Sequence, residues 1–398
     1  RRLCVPIPQP PRRAACSRRV AAGARGAQRG VAALVLFAPA GRAALSAMSG
    51  AVQALIDFSA AGIAMVFGPL ASAVGFSFAI NVLPIIIFFS ALMAVLYHLG
   101  IMQRVIAWGG GALRLILGAG RVESLTAAAN IFVGQTEAPL VVRPCVAGLT
   151  QPQLFAVMVS GMASVSGSVL AAYAQMGINI DYLLAACFMA APGGLLMAKL
   201  IMPDPKPEKG AKADPLPSAD PVESYGRANF ISAAADGALD GLKLAVSIAA
   251  MLIAFVSLIA LVNGALSGLG ALAGIEGLTL QYVLGYVFAP LMWLLDIPWE
   301  EAQTAGGVFG EKLILNEFVA FLHLGQIQDT LSPRTAAITT FALCGFANLS
   351  SIGILMAALK TLAPERAPEM ARYGLHVVAA GSLSNLMSAA LAGLFIAP

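Results

Sequence analysis

Long stretches without a charged side chain constrain this sequence more than any other feature. Asp, Glu, Lys and Arg are absent from 58–103, 154–180, 244–275, 277–295 and 335–359. A helix needs about 20 apolar residues to cross the hydrocarbon core of a bilayer, and several of these blocks are longer. Because lipid offers no hydrogen-bond partners, helices rather than open sheets are expected there. We therefore expect an all-α integral membrane protein, a multi-spanning helical bundle.

Composition supports this interpretation. Of the 398 residues, 59% are hydrophobic and 11% are charged, against roughly a quarter charged in soluble domains. The five cysteines show neither CxxC nor Cys/His spacing, which argues against a zinc site or a disulfide framework. No Walker, GxSxG or metal-ligand pattern is found, so neither an ATP-driven pump nor an enzyme is indicated.

Polar residues interrupt the apolar sequence in both halves of the chain. Region 124–150 is interrupted around 130–139, and region 335–359 is interrupted around 344–351. Glycines 306, 307 and 310 precede Asn316-Glu317 and suggest a helix broken near its middle. Paired interruptions of this kind point to a transporter's binding site at the membrane midplane. A hairpin that ends at that depth leaves backbone groups free to bind a polar solute or a cation. We therefore expect two re-entrant hairpins, whereas Leu154–Tyr173 is expected as one intact spanning helix.

The first interruption carries a carboxylate at membrane depth. Gln135, Thr136 and Glu137 offer an amide, a hydroxyl and a carboxylate at consecutive positions, which suits a nucleobase or a ribose. An intramembrane carboxylate is a functional candidate by default. The alternative is a loop at the membrane surface in which Glu137 pairs with Arg143.

The second half supplies a second carboxylate, Glu317, followed by the polar residues Asn348, Ser350 and Ser351. For Glu317 the alternative is a helix end that faces water. For the small polar residues it is helix–helix packing. The run 164–168, Ser-Val-Ser-Gly-Ser, fits either such packing or coordination of a small hard cation.

Specific strings resemble the concentrative nucleoside transporter family. They are ANIFVGQTEAPLVVRP at 129–144, NEFVA at 316–320 and FALCGFANLSSI at 341–352, with a similar GSLSNL at 381–386. The resemblance implies a homotrimer with an inner scaffold and a mobile, inverted-repeat transport domain. That domain holds two re-entrant hairpins and two partly unwound helices. It also implies nucleoside uptake across the inner (plasma) membrane, driven by a sodium or proton gradient, with no cofactor and no nucleic-acid partner.

The resemblance also implies roles for individual residues of this sequence. Gln135, Thr136 and Glu137 would lie on the nucleobase side, with Val169 nearby. Glu317, Asn348 and Ser351 would hold the ribose hydroxyls, and Phe346 would pack beside the ligand. The cation position resembles Asn130, Val133, Ser164 and Val165, and these residue types favour sodium over protons.

The resemblance runs from about Ser46 to the C-terminus, and residues 1–30 do not resemble the family. Those residues hold eight arginines and no acidic residue, so they are interpreted either as a basic cytoplasmic arm or as a mis-assigned start. The expected segments are the basic N-terminal segment 1–30, scaffold and interfacial helices 31–123, the first half of the transport domain 124–202, an extramembrane linker 203–229, a scaffold helix 230–279, the second half of the transport domain 280–359 with the broken helix and the second hairpin, and a C-terminal helix 360–398.

The sequence thus favours a sodium-coupled symporter for uridine-like nucleosides with an elevator-type cycle. Two other functions stay open. One is a proton-coupled nucleoside symporter in which Glu137 or Glu317 titrates. The other is a passive facilitator or channel, which would not accumulate its solute.

Overall fold

The fold is helical throughout the part of the chain that the computed structural model describes, residues 26, 28–70, 76–204, 229–272, 274–275 and 277–396. The helices are α1 (Pro39–Phe67), α2 (Leu83–His98), α3 (Ile101–Leu117), α4 (Arg121–Ala129), α5 (Gln151–Ala163), α6 (Gly167–Gln175), α7 (Ile180–Ile201), α8 (Phe230–Leu272), α9 (Leu280–Leu294), α10 (Trp299–Ile314), α11 (Glu317–Ile327), α12 (Pro333–Leu343), α13 (Leu349–Leu362) and α14 (Ala367–Phe395). Short π-helical turns, Ala33–Phe37 and Phe78–Val82, precede α1 and α2.

Several helices are long and apolar enough to cross a bilayer. Among the described residues there are 6 such spans, or up to 7 if a bent pair is counted as one. They are α1, α2 with its π turn, α5 with α6, α7, α8, and α14 with the turn before it. The expectation of an all-helical, multi-spanning membrane protein is therefore confirmed.

The spans differ in how deeply they are buried. The apolar windows of α5–α6, α7 and α14 are largely buried inside the fold, whereas those of α1 and α8 are largely exposed and that of α2 is mostly half-buried. Water could not solvate so much apolar surface, so the exposed faces require lipid or other apolar partners. The buried helices form the centre of the molecule, and among the polar residues described below Ser160, Tyr173 and Asn385 lie on them.

The helix expected over Leu154–Tyr173 is not intact. α5 ends at Ala163, α6 begins at Gly167, and the backbone of Ser164 between them is extended (φ −116°, ψ 169°). Neither glycine nor proline occupies Ser164–Ser166. Serine hydroxyls compete for backbone hydrogen bonds and so weaken a helix at such a point. The Ser164 hydroxyl does this by donating to the main-chain oxygen of Ser160 (3.2 Å).

The glycines before Glu317 do not break their helix. α10 passes through all three, and the break comes afterwards, at Leu315 and Asn316. The glycines instead let α10 lie against α9. A Cβ at Gly306 would fall 2.9 Å from the main-chain oxygen of Gly285, and one at Gly310 would fall 2.7 Å from the Leu284 Cβ. α9 and α10 are bent by 117° to each other at the connection 295–298, so the charge-free block 277–295 does not form a separate spanning helix.

The packing around the two second-half breaks differs from the expectation. α10 and α11 pack side by side around Asn316, whereas α12 and α13 make almost no contact with each other. α5 and α6 likewise make almost no contact across their break. Two helices that pack side by side are typical of a hairpin. Two helices that follow each other without such packing are typical of a broken helix. The geometry therefore favours a hairpin around Glu317 and a broken helix at 344–348, the reverse of the order expected from sequence.

Two expected segments lie mainly outside the described residues. The basic segment 1–30 is described only at residue 26 and from residue 28 onward, and the linker 203–229 only at residues 203, 204 and 229.

Candidate functional site

The carboxylate of Glu317 is buried at the start of α11. Its Oε1 accepts a hydrogen bond from the Tyr173 hydroxyl (3.2 Å), and its Oε2 accepts one from the Asn348 side-chain amide (2.7 Å). Asn316 caps the same helix by accepting from the Val319 N–H (2.9 Å). A carboxylate offers about four lone-pair directions, so Glu317 can accept further hydroxyl groups. Its burial excludes the alternative of a helix end that faces water.

Asn348 holds the start of α13 next to this carboxylate. Its Oδ1 accepts from the Ser351 N–H (2.8 Å) and lies 2.7 Å from the Ser350 hydroxyl. That hydroxyl is also 3.1 Å from the main-chain oxygen of Leu315. The break between α12 and α13 is therefore tied to the turn that carries Glu317. Three predicted ribose-side residues (Glu317, Asn348 and Ser351) come together here.

A second polar cluster forms where the loop after α4 meets the break between α5 and α6. The Asn130 side-chain amide donates to the Ser160 hydroxyl (3.1 Å), and the Gly167 N–H donates to the Phe132 main-chain oxygen (3.0 Å). The Asn130 Oδ1 is buried and has no partner among the described residues. Because buried polar atoms are normally paired, this oxygen suits a bound cation or a ligand donor.

The remaining predicted cation ligands fit the same chemistry. Val133, Ser164 and Val165 are buried with Asn130, and within the described chain the main-chain oxygens of both valines accept no hydrogen bond. Unpaired oxygens of this kind are the ligands that a small hard cation prefers.

The predicted nucleobase-side residues lie less close to one another than the predicted ribose-side residues do. Gln135 is buried beside Gly161, and its Oε1 has no partner among the described residues, whereas Thr136 is half-buried and Glu137 is exposed. No hydrogen bond in the described part of the chain joins these three to Glu317. Glu137 and Arg143 form no ion pair among the described residues, but the exposure of Glu137 agrees with the alternative of a surface loop. Val169 and Phe346 belong to the apolar cluster that also contains Tyr173.

The two clusters meet at one main-chain contact. The Phe346 N–H donates to the Ser164 main-chain oxygen (3.1 Å), which joins the broken segment of α12–α13 to that of α5–α6. Sequence reasoning missed three residues around this contact: Tyr173, Lys312 and Asn385. Asn385 did lie inside the quoted 381–386 string, but no local pattern indicated its partners.

Comparison with known proteins identifies the family. A family model described as "Na+ dependent nucleoside transporter C-terminus" matches residues 182–393, more than half of the chain. The chain belongs to this transporter family. A "Nucleoside recognition" gate model matches residues 79–179 of the transporter, and the family's N-terminus model matches residues 11–70. The last match corrects the sequence analysis, which placed the start of the resemblance near Ser46 and excluded residues 1–30.

Relatives cover nearly the whole transporter. The uncharacterized transporter YutK of Bacillus subtilis is 53% identical over 365 residues, 91% of this chain and 89% of YutK. The nucleoside permease NupC of Helicobacter pylori is 46% identical over 376 residues, 92% of this chain and 88% of the permease. The sodium/nucleoside cotransporter 1 of Rattus norvegicus is 39% identical over 363 residues, 87% of this chain and 55% of the rat protein.

Solved structures share the fold in more than one state. CNTnw in an inward-facing substrate-bound state is 48% identical with a TM-score of 0.88, covering 95% of this chain and 91% of that one. A CNTnw variant in an outward-facing state is 47% identical with a TM-score of 0.90, covering 97% and 93%. The expected family, its sodium dependence and its transport rather than enzymatic activity are thus confirmed at the level of the family.

Proposed function

We propose that this chain imports nucleosides in symport with sodium. One observation carries the proposal: a buried carboxylate with free acceptor capacity, Glu317, binds Asn348, and the segment that carries Asn348 contacts the cluster of unpaired oxygens around Asn130 through the Phe346 N–H and the Ser164 main-chain oxygen. The first feature suits ribose hydroxyls and the second suits a small hard cation. Their junction gives cation binding a direct route to the solute site.

The proposed nucleoside site keeps the roles expected from sequence. Glu317, Asn348 and Ser351 hold the ribose. Gln135, Thr136 and Glu137 face the nucleobase, and Val169 and Phe346 pack against it. Glu137 is exposed in the single chain, so its role requires the loop 130–139 to close over the bound ligand. The free Oε1 of buried Gln135 supports a ligand contact at this loop.

In the proposed cycle sodium binds between Asn130, Val133, Ser164 and Val165 and orders the loop after α4. The ordered loop presents Gln135 and Glu137 to the nucleoside. A transport domain made of 124–202 and 280–359 then moves, elevator-like, against the scaffold and releases both solutes inside. The hairpins of this domain are α4 with the turns after it, and α10 with α11.

The driving force is sufficient with one cation. One positive charge crossing ~100 mV supplies about 2.3 kcal/mol, and a roughly tenfold sodium gradient adds about 1.4 kcal/mol. Each factor of ten in solute accumulation costs about 1.4 kcal/mol, so a ratio of several hundred is attainable in principle. We further propose that the protein is a homotrimer in the inner membrane, since the exposed apolar faces of α1 and α8 can be covered by lipid and by neighbouring copies.

The test is uptake of radiolabelled uridine into proteoliposomes with and without an inward sodium gradient. Accumulation above the outside concentration, abolished when gramicidin collapses the sodium gradient, supports the proposal. Uptake that ignores sodium but collapses with a protonophore assigns proton coupling instead. Equilibration without accumulation under either gradient identifies a facilitator and contradicts symport.

A further inference from the structure

A lysine side chain is completely buried at the centre of the molecule. Lys312 lies in the last turn of α10 with no exposed surface. It forms no ion pair with a carboxylate among the described residues, so its charge must be stabilised in another way. Burying an ammonium group without compensation is very unfavourable, and side chains of this kind inside membranes usually serve a function.

The Lys312 ammonium binds oxygens at the junction of the broken helices. Nζ donates to the main-chain oxygen of Ala342, in the last turn of α12, and to the Asn385 Oδ1, both at 2.8 Å. The Phe309 ring centroid lies 5.8 Å away, within the range of a cation–π contact. The C-terminal end of a helix carries partial negative charge and attracts cations. Lys312 therefore neutralises the end of α12 where it stops inside the protein.

Asn385 extends this arrangement to the other broken helix. Its side-chain amide donates to the main-chain oxygens of Ala163 (2.7 Å) and Cys344 (2.8 Å). Ala163 is the last residue of α5 and directly precedes Ser164, a proposed sodium ligand. One asparagine thus connects the end of α5, the end of α12 and the lysine.

The same lysine is linked to the nucleoside site. α10 ends at Ile314, and Glu317 begins the next helix. Ser164 follows Ala163 in the chain, hydrogen bonds connect Ala163 to Asn385 and Asn385 to Lys312, and Glu317 lies five positions after Lys312 in the chain. The space around Asn385 is tightly filled: a Cβ at Gly345 would lie 2.4 Å from its Oδ1. Because no free space surrounds Asn385, a displacement of the C-terminal end of α5 must also displace the Asn385 side chain.

We propose that Lys312 is a built-in cation at the junction of the two broken helices and that, with Asn385, it transmits sodium binding at Ser164 to the nucleoside site at Glu317. In this arrangement sodium from solution supplies the positive charge at the break between α5 and α6. The Lys312 ammonium group supplies it at the break between α12 and α13. Lys312 and Asn385 act as positioning residues, since neither is assigned a contact with nucleoside or sodium. The inference rests on the proposed sodium-coupled function.

The test compares uridine binding with and without sodium by calorimetry on purified protein. The measured quantity is the ratio of the two dissociation constants. Wild type is expected to bind uridine about tenfold or more tighter in sodium, within the usual range of coupling between two sites. Lys312→Met is expected to bring that ratio close to one, and Lys312→Arg, which keeps the charge, to retain most of it. Lys360→Met removes an exposed lysine on α13 and is expected to keep the wild-type ratio.

A purely structural role predicts a different result: Lys312→Met would lower the melting temperature but leave the ratio unchanged in the folded fraction, and that outcome overturns the inference. Should Lys312→Met fail to fold, Asn385→Asp decides, because it keeps the shape and the acceptor for Lys312 but cannot donate to Ala163 and Cys344. An unchanged ratio in Asn385→Asp equally contradicts the proposal. Absence of any sodium effect in wild type would instead refute the proposed function itself.

Discussion

Two donors, Tyr173 and Asn348, fix the carboxylate of Glu317 without using all of its acceptor capacity. Both donors come from elements distant in sequence, and the Tyr173 contact spans 144 positions. The carboxylate is thereby held ready for a ligand rather than locked in a closed internal pair. Hydrogen bonds to such a charged group contribute more than neutral ones, about 1.5–3 kcal/mol each.

Glu317→Gln should therefore abolish most nucleoside transport. The amide has one weaker acceptor oxygen, and the ribose hydroxyls lose a charged partner worth about 1.5–3 kcal/mol, roughly a ten- to hundredfold loss of affinity. Uridine binding by calorimetry measures the effect. Glu300→Gln, at an exposed position in the first turn of α10, is the matched control and should bind normally. Near-normal affinity in Glu317→Gln would remove this residue from the site.

Asn130→Ala should weaken sodium binding more than nucleoside binding at saturating sodium. The substitution deletes the unpaired Oδ1 and the bond to Ser160, and so removes one proposed cation ligand. The sodium concentration for half-maximal uptake should rise about tenfold or more, as for loss of roughly 1.4 kcal/mol. The control is Asn179→Ala, which changes the exposed N-cap residue of α7 and should leave the sodium concentration for half-maximal uptake unchanged. If uridine affinity at saturating sodium falls further than sodium affinity, the cation site has been misplaced.

Sequence alone could identify residues that carry chemistry in a local motif, but not residues whose role depends on distant partners. Glu317, Asn348 and Ser351 stood out because polar groups interrupt apolar sequence there. Lys312 reads as an ordinary helix-end lysine, and Asn385 reaches Ala163 across 222 positions. A local sequence pattern cannot show a contact between residues so far apart in the chain. The junction formed by Lys312 and Asn385 could therefore be found only in the three-dimensional structure.

At the scale of single elements, helix breaks proved harder to place than helices. Three of the six candidate spans, α2, α5 with α6, and α8, correspond to the long charge-free blocks, whereas α1, α7 and α14 contain charged residues. Residues Ser164–Ser166, where the helix breaks, include no proline or glycine that would have predicted the break. The glycines of α10 allow close packing against α9 and do not break the helix. Small residues occur both at helix breaks and at close helix–helix contacts in membrane proteins, so composition could not distinguish a break from a contact.

Gly345→Ala should disrupt the break between α12 and α13. Its added Cβ would lie 2.4 Å from the Asn385 Oδ1 and 2.8 Å from the Ala163 main-chain oxygen, closer than atoms can approach. We expect a large loss of uridine uptake together with a lower melting temperature. Gly353→Ala is the control, because nothing lies within 4 Å of its added Cβ, and it should be neutral or stabilising by up to about 1 kcal/mol. Equal behaviour of the two variants would contradict the tight junction.

At the scale of the whole molecule, a buried ion pair joins the start of α4 to the end of α7. The Lys199 Nζ lies 2.5 Å from Glu123 Oε1 and 2.6 Å from Asp204 Oδ1, and the side chains of Lys199 and Glu123 are 3% and 1% exposed. Asp204 lies in the expected linker 203–229, of which the structure describes residues 203, 204 and 229. The pair therefore secures the start of α4 against the end of α7.

Lys199→Met should destabilise the protein strongly, because it leaves the Glu123 carboxylate buried without its partner. Breaking one side of a buried pair costs about 3–5 kcal/mol. Lys243→Met, which removes an exposed pair with Asp240, should cost about 0–1 kcal/mol. Thermal melting in detergent compares the two. Similar melting temperatures for both variants would show that the Glu123–Lys199 pair does not stabilise the fold.

The glycine contacts between α9 and α10 have a consequence for measuring motion. Their backbones approach too closely for either helix to slide without collision, since a Cβ at Gly306 would already lie 2.9 Å from the Gly285 oxygen. Spin labels at the exposed positions Val287 and Glu300 should therefore give one distance whichever way the transporter faces. That constant separation makes α9–α10 an internal ruler against which displacement of the remaining helices can be read.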